Sequence, residues 1–264
     1  MSTKRNATAL DSRLYVVSAE KCLTVLMAFR ESAKPLSLRE IAALSKMSAS
    51  SAQRFVYTLK ALGFLQQEEQ TKRYFPSAQV LDLSHGFLVG SKLREFSLPY
   101  LREAHRLVGE SVSLVQRDGN GVIYISRISS QQSPAIEMEY GSRLPLYCSG
   151  SGRVILAQLD RQRAEALLAS SERPQRTPYT ITDINEILDL LPAIREQGYA
   201  VNNQECFSGD LSLAAPIFDS HREPIAAINI SLSAVRWELQ EAKARCVPVI
   251  VEIAASISRM LRGI

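Results

Sequence analysis

Side chains that bond readily to nucleic acids are concentrated in one short segment, SASSAQRFVYTLKALGFL, from Ser48 to Leu65. Placed on a helix at about 100° per residue, its apolar residues fall in one arc, which contains Ala52, Phe55, Val56, Leu59 and Leu62. The opposite face carries Arg and Lys but no Asp or Glu, and consists of Ser50, Ser51, Gln53, Arg54, Tyr57, Thr58 and Lys60. Such a face can bond to phosphates and base edges, although an amphipathic helix that only meets water has the same pattern.

The elements around this helix favour the first interpretation. A helix from Ser18 to about Arg30 comes first, and Ser37-x-x-Glu40 then forms a capping box that starts a short second helix. Gly63 ends the third helix, and FLQQEEQTKRYF predicts two short strands around a polar loop. Helix, helix-turn-helix and hairpin together predict a winged helix-turn-helix, whose second motif helix enters the major groove of double-stranded DNA.

Each polar side chain of this unit suits a particular part of DNA. Arg54 can grip a guanine edge with two bonds, and Gln53 can read adenine. Lys72 and Arg73 of the hairpin are placed to meet phosphates. The predicted DNA-contacting residues are Ser48, Ser50, Ser51, Gln53, Arg54, Tyr57, Thr58, Lys72 and Arg73.

Charge is distributed unevenly along the chain of 264 residues, whose net charge is +4. Residues 1–76 hold 12 Lys and Arg against 6 Asp and Glu, whereas residues 77–264 hold 19 against 21. A basic first part with a near-neutral remainder is typical of an arm that binds a polyanion and a body with another task. We therefore expect a DNA-binding domain over 1–76, a linking helix over 77–90 and a second domain over 91–264. The linking helix has an apolar surface, which either contacts a partner or packs on its own domain.

Catalytic and metal-binding patterns are not evident in the sequence. The four Cys and three His residues are scattered, no Cys pair has CxxC spacing, and GxSxG, Walker A and HExxH motifs are absent. We expect no catalytic residue, no metal and no cofactor. Two alternatives stay open: a hydrolase-like enzyme with a DNA-binding appendage, in which Cys148 is the nucleophile, and a metal-responsive sensor.

The chain start is polar, and the longest apolar stretch, Val247–Ile257, contains Glu252 and is too short to span a bilayer. We expect a reduced, cytoplasmic protein without a membrane partner.

The second domain alternates helices with strands and predicts an α+β fold around a mostly antiparallel sheet. A hairpin turns at Asp118–Gly121, a further strand is expected over Ala135–Tyr140, and two strands lie near Leu211–Ile217 and Ile225–Leu232. In the last two strands Ser212, Asn229 and Ser231 alternate with apolar residues. These polar side chains either line a pocket or meet water.

A possible anion site lies in CSGSGRVILAQL, where Gly150 and Gly152 come directly before an apolar helix. Free amides at a helix start favour an anion, and glycines allow it to approach closely. Gly-Ser segments are also common in plain turns, so this motif alone is weak.

The whole arrangement resembles the IclR family of bacterial transcriptional regulators from about Ser18 to the end of the chain. The resemblance is carried by LSLREIAALSKMSASSAQRFVYTLKALGFL, SRLPLYCSGSGRVILAQL, EQGYAVNNQE and DSHREPIAAINIS. It implies a winged helix-turn-helix, a linking helix and a GAF-like effector-binding domain. It also implies a homodimer or a dimer of dimers on a near-palindromic operator, and a response to small organic acids.

By the same resemblance, six residues stand where family members contact the effector: Gly150, Ser151, Asn202, Ser212, Asn229 and Ser231. Many members have an acidic residue in place of Asn202 and a cysteine in place of Ser212. With these departures, the chain looks more like the branch that controls the breakdown of aromatic acids, on the basis of RLPLYCSGSGRVILA, Gln204-Glu205 and Ser212. The resemblance thus implies a ligand-responsive regulator of a catabolic operon that senses a small carboxylate.

Overall fold

The computed structural model describes residues 13–30, 32, 34–130 and 138–263. The described chain falls into two compact units, one that ends at Gly90 and one that begins at Ser91. No helix of the described residues is long and apolar enough to cross a membrane.

In its described residues, the first unit consists of four helices and a two-stranded hairpin. In chain order they are α1 (Val17–Met27), α2 (Leu38–Leu44), α3 (Ala49–Ala61), β1 (Leu65–Gln67), β2 (Tyr74–Pro76) and α4 (Val80–Gly90). The helices and hairpin enclose a small apolar core formed by Val25, Phe29, Leu36, Ile41, Val56, Leu59 and Leu65.

Side-chain caps mark the start of two of these helices, α2 and α3. The predicted capping box is confirmed, because the Ser37 hydroxyl accepts from the Glu40 amide and the Glu40 carboxylate accepts from the Ser37 amide at 2.7 Å. The expected start of α1 at Ser18 is wrong: the cap position is Val16, which makes no side-chain bond, and Ser18 lies inside the helix.

The second unit contains five helices and six strands in its described part. They are α5 (Lys92–Val108), β3 (Ser111–Asp118), β4 (Gly121–Ile128), β5 (Arg143–Pro145), α6 (Gly150–Ala157), α7 (Arg161–Ala169), α8 (Ile184–Gln197), β6 (Ala200–Asn203), β7 (Asp210–Phe218), β8 (Pro224–Ser233) and α9 (Leu239–Arg262). Neighbouring strands pair antiparallel in the order β5-β4-β3-β8-β7-β6. The predicted α+β fold with an antiparallel sheet is confirmed.

One predicted strand differs from the structure. Of the expected strand Ala135–Tyr140, residues 135–137 lie outside the described residues, and 138–140 have no strand conformation. The edge strand is instead β5, which pairs Leu144 with Val122 of β4.

Helices cover both faces of the six-stranded sheet. On one face, α5 and α9 pack on a core that includes Leu211, Leu213, Ile228 and Ile230. On the other face, α6 and α8 enclose a second core that includes Ala214 and Ala227. Because side chains alternate along a strand, the polar residues of β7 and β8 face the α6 side and lie in the interior of the unit.

Candidate functional site

The polar face of α3 is displayed on the surface of the first unit. Ala52, Val56 and Leu59 are buried, and the hydrophilic side chains opposite them are exposed, with Tyr57 at 74% of its full accessibility. Leu62 does not follow the predicted apolar arc, because it is 58% exposed at the helix end. The face therefore presents Gln53, Arg54, Tyr57, Thr58 and Lys60 to the outside.

The serines at the start of α3 are organised by a helix cap. The Ser48 hydroxyl accepts a hydrogen bond from the Ser51 amide at 3.3 Å and lies 3.2 Å from the Ser50 hydroxyl. Ser48 thus has a structural task, and Ser50 stays exposed at the positive end of the helix dipole.

The two cations of the hairpin differ in their surroundings. Arg73 donates to the Pro35 carbonyl at 2.9 Å and to the Glu40 carboxylate at 2.8 Å, and so holds the hairpin against the start of α2. Lys72 lies in the turn with a left-handed backbone (φ 57°), and its side chain is exposed. Lys72 is therefore better placed than Arg73 to meet a phosphate.

In the second unit, the register aligns three of the predicted effector residues in one row across the sheet. Asn202 of β6 is paired with Ser212 of β7, and Ser212 is paired with Ser231 of β8. Asn229 lies on the same face and donates to the Ser231 hydroxyl at 2.9 Å. We call these four residues the polar row. Asn202, Ser212 and Asn229 are buried, so the alternative that they meet water does not hold.

The start of α6 lies directly over the polar row. Built as an alanine, Gly150 would place its Cβ 3.6 Å from the Cβ atoms of Ala214 and Asn202. Ser149 caps the helix by accepting from the Gly152 amide at 3.0 Å. Within the described residues, the amides of Gly150 and Ser151 have no hydrogen-bond acceptor. An anion in front of them would gain both amides and the helix dipole.

The polar row and the α6 start line one small cavity. Its free space is about 20 Å³, which is room for about one water molecule. Sequence reasoning missed six of its lining residues: Tyr124, Met138, Leu144, Ser149, Phe207 and Asp210. Asp210 could have been found, because it precedes Ser212 by two positions on a strand and so shares its face. Ser149 could also have been found, because it directly precedes Gly150. Tyr124, Met138, Leu144 and Phe207 lie on other segments and leave no such signal.

Asp210 is the carboxyl group of this cavity. It is 8% exposed, and its Oδ2 accepts from the Asn202 amide nitrogen at 3.0 Å. Burial raises the pKa of Asp210 to about 7, against the opposing influence of Arg127 and of the bond from Asn202.

A buried ion pair fixes the loop after β6 to α6. Arg153 donates to both Glu205 carboxylate oxygens, at 2.6 and 2.5 Å, and to the Tyr147 carbonyl at 3.0 Å. The Glu205 amide in turn donates to Oδ1 of Asn202 at 3.0 Å. The Arg153 guanidinium is thus engaged with Glu205, and the α6 amides are the better candidates for an anion.

A wider cleft of about 550 Å³ adjoins this cavity, since Phe207 lines both. Arg176 lies in the cleft, where it donates to the Cys206 carbonyl at 3.2 Å and stacks 5.2 Å from the Phe207 ring centre. The cleft is open and lacks the converging polar groups of the polar row, so we assign the candidate ligand site to the small cavity.

The cysteines of the second unit include one close pair. Cys148 and Cys206 are buried free thiols with sulfurs 3.2 Å apart. No group of three His, Cys, Asp or Glu side chains in the described part of the chain could hold a metal ion.

Comparison with known families identifies both units. The model described as IclR helix-turn-helix domain matches residues 18–69, and that described as Bacterial transcriptional regulator IclR C-terminal matches residues 85–259. The chain belongs to the IclR family. The resemblance inferred from the sequence is confirmed, and the IclR relatives it matches are regulators of transcription, which sets the enzyme alternative aside.

The curated relatives of this IclR-family chain include regulators named for aromatic and for other pathways. The Pca regulon regulatory protein of Pseudomonas putida is 27% identical over 250 residues, covering 94% of this chain and 85% of that protein. The regulator KdgR of Escherichia coli is 31% identical, covering 84% of each chain. The p-hydroxybenzoate hydroxylase transcriptional activator of Acinetobacter baylyi is 28% identical, covering 81% and 80%.

Solved structures have the same architecture. The IclR crystal structure from Thermotoga maritima is 29% identical and aligns with a TM-score of 0.70 over 94% of this chain and all of that one.

Proposed function

We propose that this IclR-family regulator controls a catabolic operon by sensing a small organic carboxylate, with an aromatic acid as the leading class. The single observation that carries this proposal is the cavity lined both by the polar row and by Gly150 and Ser151, whose amides have no acceptor within the described residues. Two free amides and several neutral hydrogen-bonding side chains converge there in a buried setting. Among its relatives, a regulator named for p-hydroxybenzoate hydroxylase supports the aromatic class.

The hydrogen-bond donors around the cavity support an acid as its ligand. A buried carboxylate needs a full set of donors, because an unpaired charge in the interior is costly. The α6 start supplies two amides and a favourable dipole, and Ser212, Asn229 and Ser231 add neutral partners. Asn202 is an amide rather than an acid, so it does not repel the ligand.

The size of the cavity implies that the ligand reshapes it. About 20 Å³ is too small for benzoate, so lining side chains must move when an acid of that size enters. Phe207 is only half-buried and lies between the cavity and the wider cleft. Displacement of Phe207 would join the two spaces and give a path for entry.

DNA is the second partner in this proposal. The exposed polar face of α3 reads base edges, Lys72 contacts phosphate, and Ser50 and Ser51 meet phosphate at the helix start. We further propose a homodimer or a dimer of dimers, so that two or more copies of α3 contact related half-sites. A bacterial regulator of this kind acts on the chromosome and therefore in the cytoplasm.

Calorimetric titration of the full-length protein tests the sensing function. We expect benzoate-type, keto or aliphatic acids to bind, and the corresponding neutral amides to bind at least tenfold more weakly. Ser212→Ala and Asn229→Ala should each weaken binding about tenfold or more, since a buried donor to a charge contributes about 1.5–3 kcal/mol.

A matched control is Ser220→Ala, an exposed serine in the β7–β8 turn, which should bind as the wild type does. Equal binding of acids and amides would overturn the proposal. Consumption of the ligand over hours would instead revive the enzyme alternative.

A further inference from the structure

We propose that Asp210 makes the cavity selective for carboxylates that also carry a hydrogen-bond donor, a hydroxyl or an amino group. This inference rests on the proposed sensing function and names the class of acid. It assigns a specificity role to a residue outside the polar row.

The position of Asp210 on the sheet places it beside the polar row. It lies on β7, two residues before Ser212, and its side chain lines the same cavity as Gly150 and Ser151. Its Oδ2 accepts from Asn202, and Asn202 itself is held by the Glu205 amide through its own Oδ1. The carboxyl group is therefore fixed in orientation at the cavity wall.

The second step concerns charge. Above neutral pH the ionised Asp210 accepts hydrogen bonds and donates none. A ligand carboxylate in the same small cavity repels it, and this repulsion is strong because both charges are shielded from water. Arg127 opposes the charge of Asp210 and lowers its pKa, but burial outweighs this influence.

The third step follows from these two. A ligand that carries a hydroxyl or amino group can donate to Asp210, and a charge-assisted bond of this kind is about twice as strong as a neutral one. An acid without a donor either leaves the buried Asp210 carboxylate unpaired on the ligand side or forces it to take up a proton, and above the pKa of Asp210 both outcomes weaken binding. Sites built to bond a substrate hydroxyl reject analogues that lack it by large factors.

The experiment compares ligands that differ only in the donor. Full-length protein is titrated at pH 8 with benzoate and with its 3- and 4-hydroxy, amino and methoxy derivatives, and with butyrate and 4-hydroxybutyrate. A methoxy group keeps the oxygen but has no proton to donate. We expect hydroxy or amino acids to bind at least tenfold tighter than their methoxy and unsubstituted partners.

Two variants assign this preference to Asp210. Asp210→Asn keeps the size of the side chain, so it should exclude the methyl group of a methoxy ligand as the wild type does. Its preference for ligands that carry a donor should fall several-fold. Asp210→Leu removes the acceptor, and the preference should disappear. Asp189→Asn, an exposed position on α8, is the control and should keep the wild-type preference. Circular dichroism melting and DNA binding establish that each variant is folded.

The outcomes separate this inference from the function on which it rests. If acids bind but the donor makes no difference, or if Asp210→Asn leaves the preference unchanged, the role of Asp210 is overturned and carboxylate sensing stands. If no acid binds at millimolar concentration, carboxylate sensing is overturned and the role of Asp210 with it. If Asp210→Leu does not fold, the wild-type preference and Asp210→Asn still decide the question.

Discussion

Arg54 and Lys72 are both exposed cations of the first unit, but they stand on different elements and should act differently on DNA. Arg54 lies in the middle of the polar face of α3, where it can form two bonds to a guanine edge. We predict that Arg54→Ala weakens operator binding by about 1–3 kcal/mol and changes binding to scrambled DNA much less. Fluorescence anisotropy on both sequences measures the difference.

Lys72 is expected to contact only phosphate. Lys72→Ala should weaken binding to operator and scrambled DNA alike, and reduce the slope of log K against log salt by about one phosphate contact. Arg102→Ala, an exposed position on α5, is the control for a lost charge.

An equal loss of affinity for operator and scrambled DNA in Arg54→Ala would show that Arg54 contacts only phosphate.

Asp210 links stability to pH through its raised pKa. The pKa is about 7 in the folded protein against 3.8 for an ordinary aspartate, so the folded state binds more protons between these values. Stability therefore falls as pH rises from about 4 to 7 and stays lowered above 7. We predict that Asp210→Asn removes this dependence and stabilises the protein by on the order of a few kcal/mol at pH 8.

Urea unfolding at pH 5 and pH 8 tests this linkage. The gain from Asp210→Asn should be larger at pH 8, and Asp189→Asn should give equal changes at both values. A gain that is larger at pH 5 would contradict the assigned direction of the pKa.

At the scale of elements, periodicity in the sequence was sufficient for much of the fold. The 3.6-residue pattern of α3 and the two-residue alternation of β7 and β8 predicted which faces are apolar, and the capping box predicted the start of α2. The start of α1 was predicted wrongly, because Ser18 has the right residue type for a cap but Val16 occupies that position. Burial of both sheet faces could not be predicted, since it depends on where α6 and α8 pack.

Contacts between distant segments also escaped the sequence. Asn202, Ser212 and Ser231 are neighbours only through strand register. Alternation along the strands singled out Ser212 and Ser231, whereas Asn202 was suggested by the family resemblance alone. The Arg153–Glu205 pair joins residues 52 positions apart, so no local pattern reveals it. Polar networks of this kind are determined by tertiary packing.

The first turn of α6 contains Gly152, where close packing leaves no room for a side chain. A Cβ on Gly152 would lie 2.3 Å from the Leu146 Cα, so the backbone would have to shift. We predict that Gly152→Ala lowers the free energy of unfolding by about 1–3 kcal/mol, the usual cost of overpacking. Chemical unfolding with guanidinium measures the change.

Gly86 in α4 is a matched control for this substitution. Nothing lies within 4 Å of a Cβ built there, so Gly86→Ala should gain helix propensity and leave stability equal or slightly raised. A Gly152→Ala protein as stable as the wild type would contradict the close contact with Leu146.

At the scale of the whole molecule, two helices of the first unit, α1 and α4, expose several large apolar side chains. Leu23 and Met27 of α1 are exposed, and α4 has no buried residue, with Leu81 and Leu83 about two-thirds exposed. Contiguous exposed apolar surface is typical of an interaction site. We therefore predict that these helices lie in the contact between copies of the chain, which sedimentation should show as at least a dimer at micromolar concentration.

A charged residue in this surface should separate the copies without unfolding the unit. In Leu83→Glu and Phe87→Glu, one turn apart on α4, a buried interface would have to accommodate an unpaired carboxylate, which strongly disfavours association. We expect both variants to sediment as monomers and to lose operator affinity more than tenfold, because one α3 cannot hold two half-sites.

Leu107→Glu, an exposed leucine of α5, is the control and should keep both association and affinity. A wild-type chain that remains monomeric with and without DNA would contradict the homo-oligomer, and variants that stay dimeric would move the contact away from α4.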